Sequence, residues 1–237
     1  MKFADAQRLK DPDRGRREIL AGLIALPAGS FLAAGSALAA PRVAAPPRPP
    51  VVTVLGDSIT AGLGVRQGEA MPARLQAALS ARGVPAQVRA AGRNGDTSAG
   101  GLSRLEAALG ADTTVCVVAL GGNDLLQGLR PEATRANLRA ILTRLRERRI
   151  PAVLAGVNAP ALLGADYARR FNAVFTDLAR DFAAPLLPNL LAGIGGSRRY
   201  MQSDGIHPNA EGARVIAANL APVVAQALAR TTQVAAR

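Results

Sequence analysis

The stretch "TTVCVVALGGND", residues 113–124, decides the fold class. Its first eight residues carry no charge and are mostly β-branched or aliphatic. They stop at the paired glycines 121 and 122. A continuous apolar run of strand length, closed by chain breakers, reads as a strand buried on both faces. Strands of that kind belong to parallel sheets covered by helices on each side. The neighbouring segments agree. "VVTVL" (51–55), "PAQVRAA" (85–91), "PAVLAGV" (151–157) and "PLLPN" (185–189) are further strand candidates. Between and after them, apolar residues recur at helical spacing over 71–82, 99–109, 131–149, 166–182 and 208–229. Pro131 suits the first turn of the third of these helices. Strands alternating with helices of ten or more residues predict an α/β fold with a mostly parallel sheet.

In such a sheet, sites form at the carboxyl ends of the strands. Four segments in those positions therefore matter most: "GDSITAG" (56–62), "GRNGDTSAGG" (92–101), "GGND" (121–124) and "SDGIHP" (203–208).

Composition narrows the reading. The chain has 237 residues, 49% of them hydrophobic, but aromatics make up only 3% and Trp is absent. Ala, Leu and Val must fill the core. The net charge is +12, and from Ala40 onward 23 arginines stand against 13 acidic residues, a net +10. Charge of this size favours anionic surfaces in general. The arginines are scattered, except in "RLRERR" (144–149), and lack the interleaved aromatics on which bases stack. That run reads as a solvated helix face, and no nucleic-acid partner is expected. The lone Cys116 sits inside the apolar strand, so it reads as a small buried hydrophobe.

The first 50 residues read as an export leader and a tether. Arg16 and Arg17 in "GRREIL" precede 22 uncharged residues, Ile19 to Ala40, which close on Ala37-Leu38-Ala39. The small-x-small ending is the pattern read by signal peptidase. The arginine pair resembles a twin-arginine signal. The expected organisation is a cleaved signal over 1–39, a Pro-rich linker over 40–50, a folded domain over 51–230 and a tail over 231–237. The expected location is the periplasm or the exterior, with no membrane span after cleavage. A segment of this length would also reach across a bilayer of ~30 Å if retained as an anchor.

The chemistry rests on His207, the only histidine. Ser58 follows the first strand and precedes a helical turn, which places a hydroxyl at the sheet edge. A serine hydroxyl needs a base, and the base needs an orienting partner. His207 is the one imidazole available, and Asp204 lies three residues before it. A developing oxyanion needs donors. The Asn123 side-chain amide, the Gly95 backbone N–H and the Ser58 backbone N–H are the candidates. The motif is not a Gly-x-Ser-x-Gly elbow, because residue 60 is Thr.

In this order, "GDS", "GDTS", "GGND" and "DGIHP" resemble the SGNH hydrolases, also called GDSL esterases and lipases. The resemblance covers about residues 51–230. "GDTSAGGLSRL", "LGGNDLLQGLRP", "YARRFNAVF" and "YMQSDGIHPNAEG" are similar to the branch of periplasmic acyl-CoA thioesterases, lysophospholipases and arylesterases. The resemblance implies a three-layer, flavodoxin-like α/β/α sandwich. It also implies metal-free, cofactor-free hydrolysis of small-molecule esters or thioesters through an acyl-serine. It assigns Ser58, Asp204 and His207 as the catalytic residues and Ser58, Gly95 and Asn123 as the oxyanion hole. Met71 departs from the branch, which often has Trp before that Pro. The loop 158–167, where acyl contacts are expected, is not shared in detail. Asp57, Asp96 and Asp124 are expected to order loops. Two alternatives remain, one reusing these residues and one resting on the net charge of +10. One is a metal-dependent hydrolase built on Asp57, Asp96, Asp124, Asp204 and His207. The other is a non-catalytic binder of anionic envelope polymers. Oligomeric state is not legible.

Overall fold

Side chains along a strand alternate between faces, and the central strand uses both faces fully. Val115, Val117 and Ala119 pack into one apolar cluster, and Cys116, Val118 and Leu120 into another. The computed structural model describes residues 49–235. The leader expected over 1–39 and all but Pro49 and Pro50 of the linker lie outside the described residues.

Five strands form one sheet: β1 (Val51–Gly56), β2 (Gln87–Gly92), β3 (Thr113–Ala119), β4 (Ala152–Ala155) and β5 (Leu186–Leu187). Their order is β2-β1-β3-β4-β5, and every pairing is parallel. The helices are α1 (Ser58–Ala61), α2 (Met71–Ala81), α3 (Ser98–Ser103), α4 (Leu105–Ala108), α5 (Gly122–Leu126), α6 (Pro131–Glu147), α7 (Ala165–Phe182) and α8 (Ala210–Ala235). Helices α2 and α8 cover one face, with Leu75, Leu79, Ile216, Leu220 and Val224 fully buried. The other face carries α4, α6 and α7, through residues such as Leu105, Leu138, Ile141, Phe171 and Leu178. The result is a three-layer α/β/α sandwich.

Most boundaries shift by no more than two residues from the sequence reading, and two differ in kind. The helix expected over 99–109 breaks at Arg104, because that side chain turns inward to bind backbone carbonyls. Helix α8 continues to Ala235, into the segment expected as a tail. Among the described residues α8 holds the one stretch long and apolar enough to cross a bilayer. Its apolar stripe recurs at 213, 216, 220, 224 and 227 and is spent against the sheet. Cys116 is buried as expected, and burial pushes its thiol up to about 12, so it carries no thiolate chemistry.

The strand order reverses beside β1: the chain moves out to β2, then returns to β3 on β1's other side. A crevice opens at such a switch point, outside the carboxyl ends of the two strands. Ser58 follows β1 and Asn123 follows β3, so both stand at that crevice.

Candidate active site

Ser58 begins α1 directly after β1, and Asp57 caps the turn by accepting the Ile59 N–H at 3.0 Å. This turn lies close against the end of β2. A Cβ added to Gly92 would meet the backbone N of Ala61 at 2.2 Å and the carbonyl of Asp57 at 2.7 Å. Both obstacles are main chain and cannot rotate away. Gly92→Ala is therefore expected to push α1 outward, costing about 1–3 kcal/mol of stability. It should lower kcat more than it changes KM. Urea denaturation and steady-state kinetics check the two effects separately.

His207 arrives from the other end of the chain. The Asp204-Gly205-Ile206-His207 turn is held by one carboxylate oxygen, Asp204 Oδ1. It accepts the N–H groups of Ile206 at 2.9 Å and His207 at 3.0 Å. The other oxygen, Oδ2, lies 2.6 Å from His207 Nδ1, and His207 Nε2 lies 2.9 Å from Ser58 Oγ. Hydrogen bonds from the imidazole and from two backbone amides hold the Asp204 carboxyl down at about 2. An ionised carboxylate only accepts, so the proton belongs on Nδ1. The Nε2 lone pair is then free to accept the Ser58 hydroxyl proton. The structure thus joins Ser58, His207 and Asp204 in one chain of hydrogen bonds.

Gln202 ties this turn to the serine loop. Its amide donates to the Leu63 carbonyl at 2.7 Å and the Pro208 carbonyl at 3.0 Å. Asn209 caps α8 by accepting the N–H groups of Glu211 and Gly212, which fixes where the helix begins after the histidine.

Neither the Ser58 N–H nor the Gly95 N–H has an acceptor among the described residues. Gly95 has φ +78°, and the space where a Cβ would stand is open. Glycine suits that backbone best, and the residue is exposed. The Asn123 Nδ2 donates to the Asp96 carbonyl at 2.9 Å. That bond uses one of its two protons and orients the other.

Three buried aspartates hold the loops, as expected. Asp57 caps α1. Asp96 pairs with Arg104 Nε at 2.5 Å. Asp124 accepts the Ser98 N–H at 2.7 Å, the Ser98 hydroxyl, and the Thr134 hydroxyl at 3.0 Å. Each carboxylate has its own partner, and no three His, Cys, Asp or Glu residues converge on one point among the described residues. The metal-hydrolase alternative lacks a ligand set there.

Residues 54–215 match the GDSL-like lipase/acylhydrolase family. The chain belongs to that family. Among family relatives, esterase TesA of Pseudomonas aeruginosa is 38% identical over 156 residues, covering 65% of this chain and 78% of the relative. The Escherichia coli protein named thioesterase 1/protease 1/lysophospholipase L1 is 37% identical over 165 residues, covering 69% of this chain and 78% of the relative. The crystal structure of AlinE4, described as an SGNH-hydrolase family esterase, superposes with a TM-score of 0.64 at 38% identity. That superposition covers 77% of this chain and 98% of AlinE4.

Within this GDSL-family site, Arg104 went unnoticed in the sequence. Beyond its bond to Asp96, its Nη1 reaches the Ala91 carbonyl at 3.0 Å and its Nη2 the Gly56 carbonyl at 2.8 Å. One guanidinium thus joins the ends of β1 and β2 to the Gly95–Asp96 loop. In sequence it looks like another exposed helix arginine. The available hint was its place within the "GDTSAGGLSRL" block.

Asp57 also acts on stability. Burial raises its carboxyl from 3.8 to about 6, with the Ile59 N–H opposing the rise. The folded state therefore holds a proton between those two values that the unfolded state releases. Stability falls as pH rises through this window, and the full penalty stands above about pH 6. Asp57→Asn keeps the capping oxygen without the charge. It should stabilise the fold by about 1–3 kcal/mol at pH 8 and leave it unchanged near pH 4. Denaturation curves at the two pH values test this.

Proposed function

We infer that Ser58 is the nucleophile, His207 the general base and acid, and Asp204 the group that orients it, in a hydrolase acting on carboxylic esters and thioesters. The observation that carries this reading is the continuous Ser58–His207–Asp204 hydrogen-bond chain. His207 Nε2 takes the hydroxyl proton as Ser58 Oγ bonds to the acyl carbon. The carbonyl π electrons move to oxygen, which the Ser58 and Gly95 N–H groups and the Asn123 amide receive. The intermediate collapses, the bond to the leaving group breaks, and His207 gives its proton to that group. Water then attacks the acyl-serine with His207 again as base, releasing the acid and restoring the hydroxyl. Among the relatives, the names esterase and thioesterase/lysophospholipase support ester or thioester substrates for this chain too.

The apolar surface around the site suggests what the acyl group meets. Leu63, Leu126, Leu162, Leu163 and Ile206 are the large hydrophobic residues left exposed among the described residues. They lie on segments that follow β1, β3 and β4, or beside His207. Leu162 is 92% exposed. Each acyl methylene buried there is worth up to about 0.8 kcal/mol, or roughly fourfold in kcat/KM. Across p-nitrophenyl esters from acetate to palmitate, kcat/KM is expected to rise from acetate through the medium chains. Leu162→Ser should flatten that rise and spare acetate. A series with no chain dependence would disprove the acyl surface; no turnover on any ester would disprove the esterase reading. Export through the expected leader belongs to the same reading, and fractionation of expressing cells tests it.

A further inference from the structure

The end of the sheet opposite Ser58 holds a second built feature. Where β3 and β4 begin, at Thr113 and Ala152, a cavity of about 620 Å³ opens beneath the final turns of α6 and α7 and the late part of α8. Leu142, Ile150, Phe182 and Ala227 line it with apolar surface, and Arg146, Arg149 and Arg230 stand around it. No acidic residue lines it. Of the surface arginines nearby, Arg139 pairs with Asp181, Arg148 with Glu106 and Arg180 with Asp177, while Arg144 has no carboxylate partner among the described residues. Arg146 and Arg149 have no carboxylate partner among the described residues. Arg146 instead lies over the Phe182 ring, 4.9 Å from its centroid, and Arg230 is held by its bond to the Ala183 carbonyl at 3.2 Å.

Helix ends alone do not account for this charge. The C-termini of α6 and α7 each present about half a negative charge, against three full guanidinium charges. The balance favours an anion. The backbone adds an independent observation. Arg149 (φ 56°) and Ala183 (φ 50°) are the two non-glycine residues with positive φ among the described residues, and both line this cavity. Arg149 closes α6 in the left-handed position, with Ile150 N–H bonded to the Leu145 carbonyl at 2.9 Å. Glycine suits that position best. A guanidinium stands there instead, at the cavity wall. Strained backbone of this kind clusters where ligands bind.

An apolar floor edged by unpaired arginines fits an amphiphile with an anionic head, and the volume is that of an ordinary ligand pocket. Ester hydrolysis generates such a molecule. We propose that this cavity binds the fatty carboxylate released at Ser58, with its head on Arg146 and Arg149 and its chain along the apolar floor. The choice of carboxylate rests on the esterase reading; the anion preference does not.

The test is calorimetric titration of dodecanoate into protein whose Ser58 has been capped by an alkyl phosphonate, which fills the reaction site. One bound dodecanoate per chain is expected. Arg149→Gly should weaken it at least tenfold while ester turnover persists and the thermal midpoint holds or rises, because glycine relieves the left-handed position. Arg146→Ala should weaken it similarly. Absence of binding to the capped protein overturns the proposal. So does binding indifferent to both substitutions, or dodecanol binding as tightly as dodecanoate. Dodecyl phosphate or phosphatidylglycerol vesicles binding through these arginines in preference to dodecanoate would reassign the cavity to a phosphate head and also overturn it. Failure of Ser58 to react with the phosphonate would count against the esterase reading alone. The arginine variants would then be compared in uncapped protein.

Discussion

Ser58→Ala is expected to lower kcat on ester substrates by about 10⁴- to 10⁶-fold, and His207→Ala by a similar factor. The two groups act in one step, so the double variant should be no worse than either single one. Independent contributions would multiply instead. Asp204 should behave differently. Its side chain is 42% exposed, so water can replace part of what it does for the imidazole once it is removed. Asp204→Ala is therefore expected to lose about ten- to a hundredfold less than Ser58→Ala. Asp204→Asn offers a donor to Nδ1 and drives the imidazole proton to Nε2, facing the serine. That wrong tautomer should cost about 10⁴-fold in kcat with the fold intact. Activity that remains in all variants is expected to reflect the proposed Ser58, Gly95 and Asn123 donors. Turnover on a p-nitrophenyl ester, with circular dichroism as the folding control, decides the matter. Undiminished activity in Ser58→Ala would mean that another group is the nucleophile.

Arg104→Met should have the largest effect away from the reacting atoms. The substitution strands the Asp96 carboxylate and removes the donor from the Ala91 and Gly56 carbonyls. Side-chain exposure is 17% for Arg104 and 9% for Asp96, so water does not readily take over. Breaking a buried pair from one side typically costs about 3–5 kcal/mol, a large share of the roughly 5–15 kcal/mol that holds a domain folded. The same change loosens the loop that carries Gly95 and accepts the Asn123 amide. A fall in kcat of about 10²-fold, the size of a lost oxyanion donor, is expected with KM little changed. Arg104→Lys should recover part of the stability, because charge returns, but little of kcat, because an ammonium cannot bridge two strand ends and a loop. Asp96→Asn combined with Arg104→Met should cost less than the two separate losses added together. Strict additivity would show that the pair does not act as a unit.

Much of this could be read along the chain. The apolar run at 113–120 had only one stable use, so strand, parallel sheet and two helical layers followed from it. Ser58, Asp204 and His207 could be named from the sequence because each sits in a short local motif, and the structure brings these three into one hydrogen-bond chain; Gly95 and Asn123 were named on the same ground. Asp57, Asp96 and Asp124 were legible as loop anchors for the same reason. The break at Arg104 was not, because helical periodicity carries no information about a side chain folding back onto carbonyls 13 and 48 residues away. Gln202, which holds a loop 139 residues distant, was invisible on the same ground.

By itself the sequence determined which groups are present, which segments are strands and helices, and which residues must stand at strand ends. These are local properties of periodicity, breakers and side-chain chemistry. Only the tertiary structure decided that His207 Nε2 lies 2.9 Å from Ser58 Oγ across 149 residues. It alone decided that one guanidinium clamps two strand ends and a loop, and that Arg230 joins Arg146 and Arg149 from another helix at the edge of one apolar cavity. Such distances are set by how the layers pack, and packing is a property of the whole chain at once.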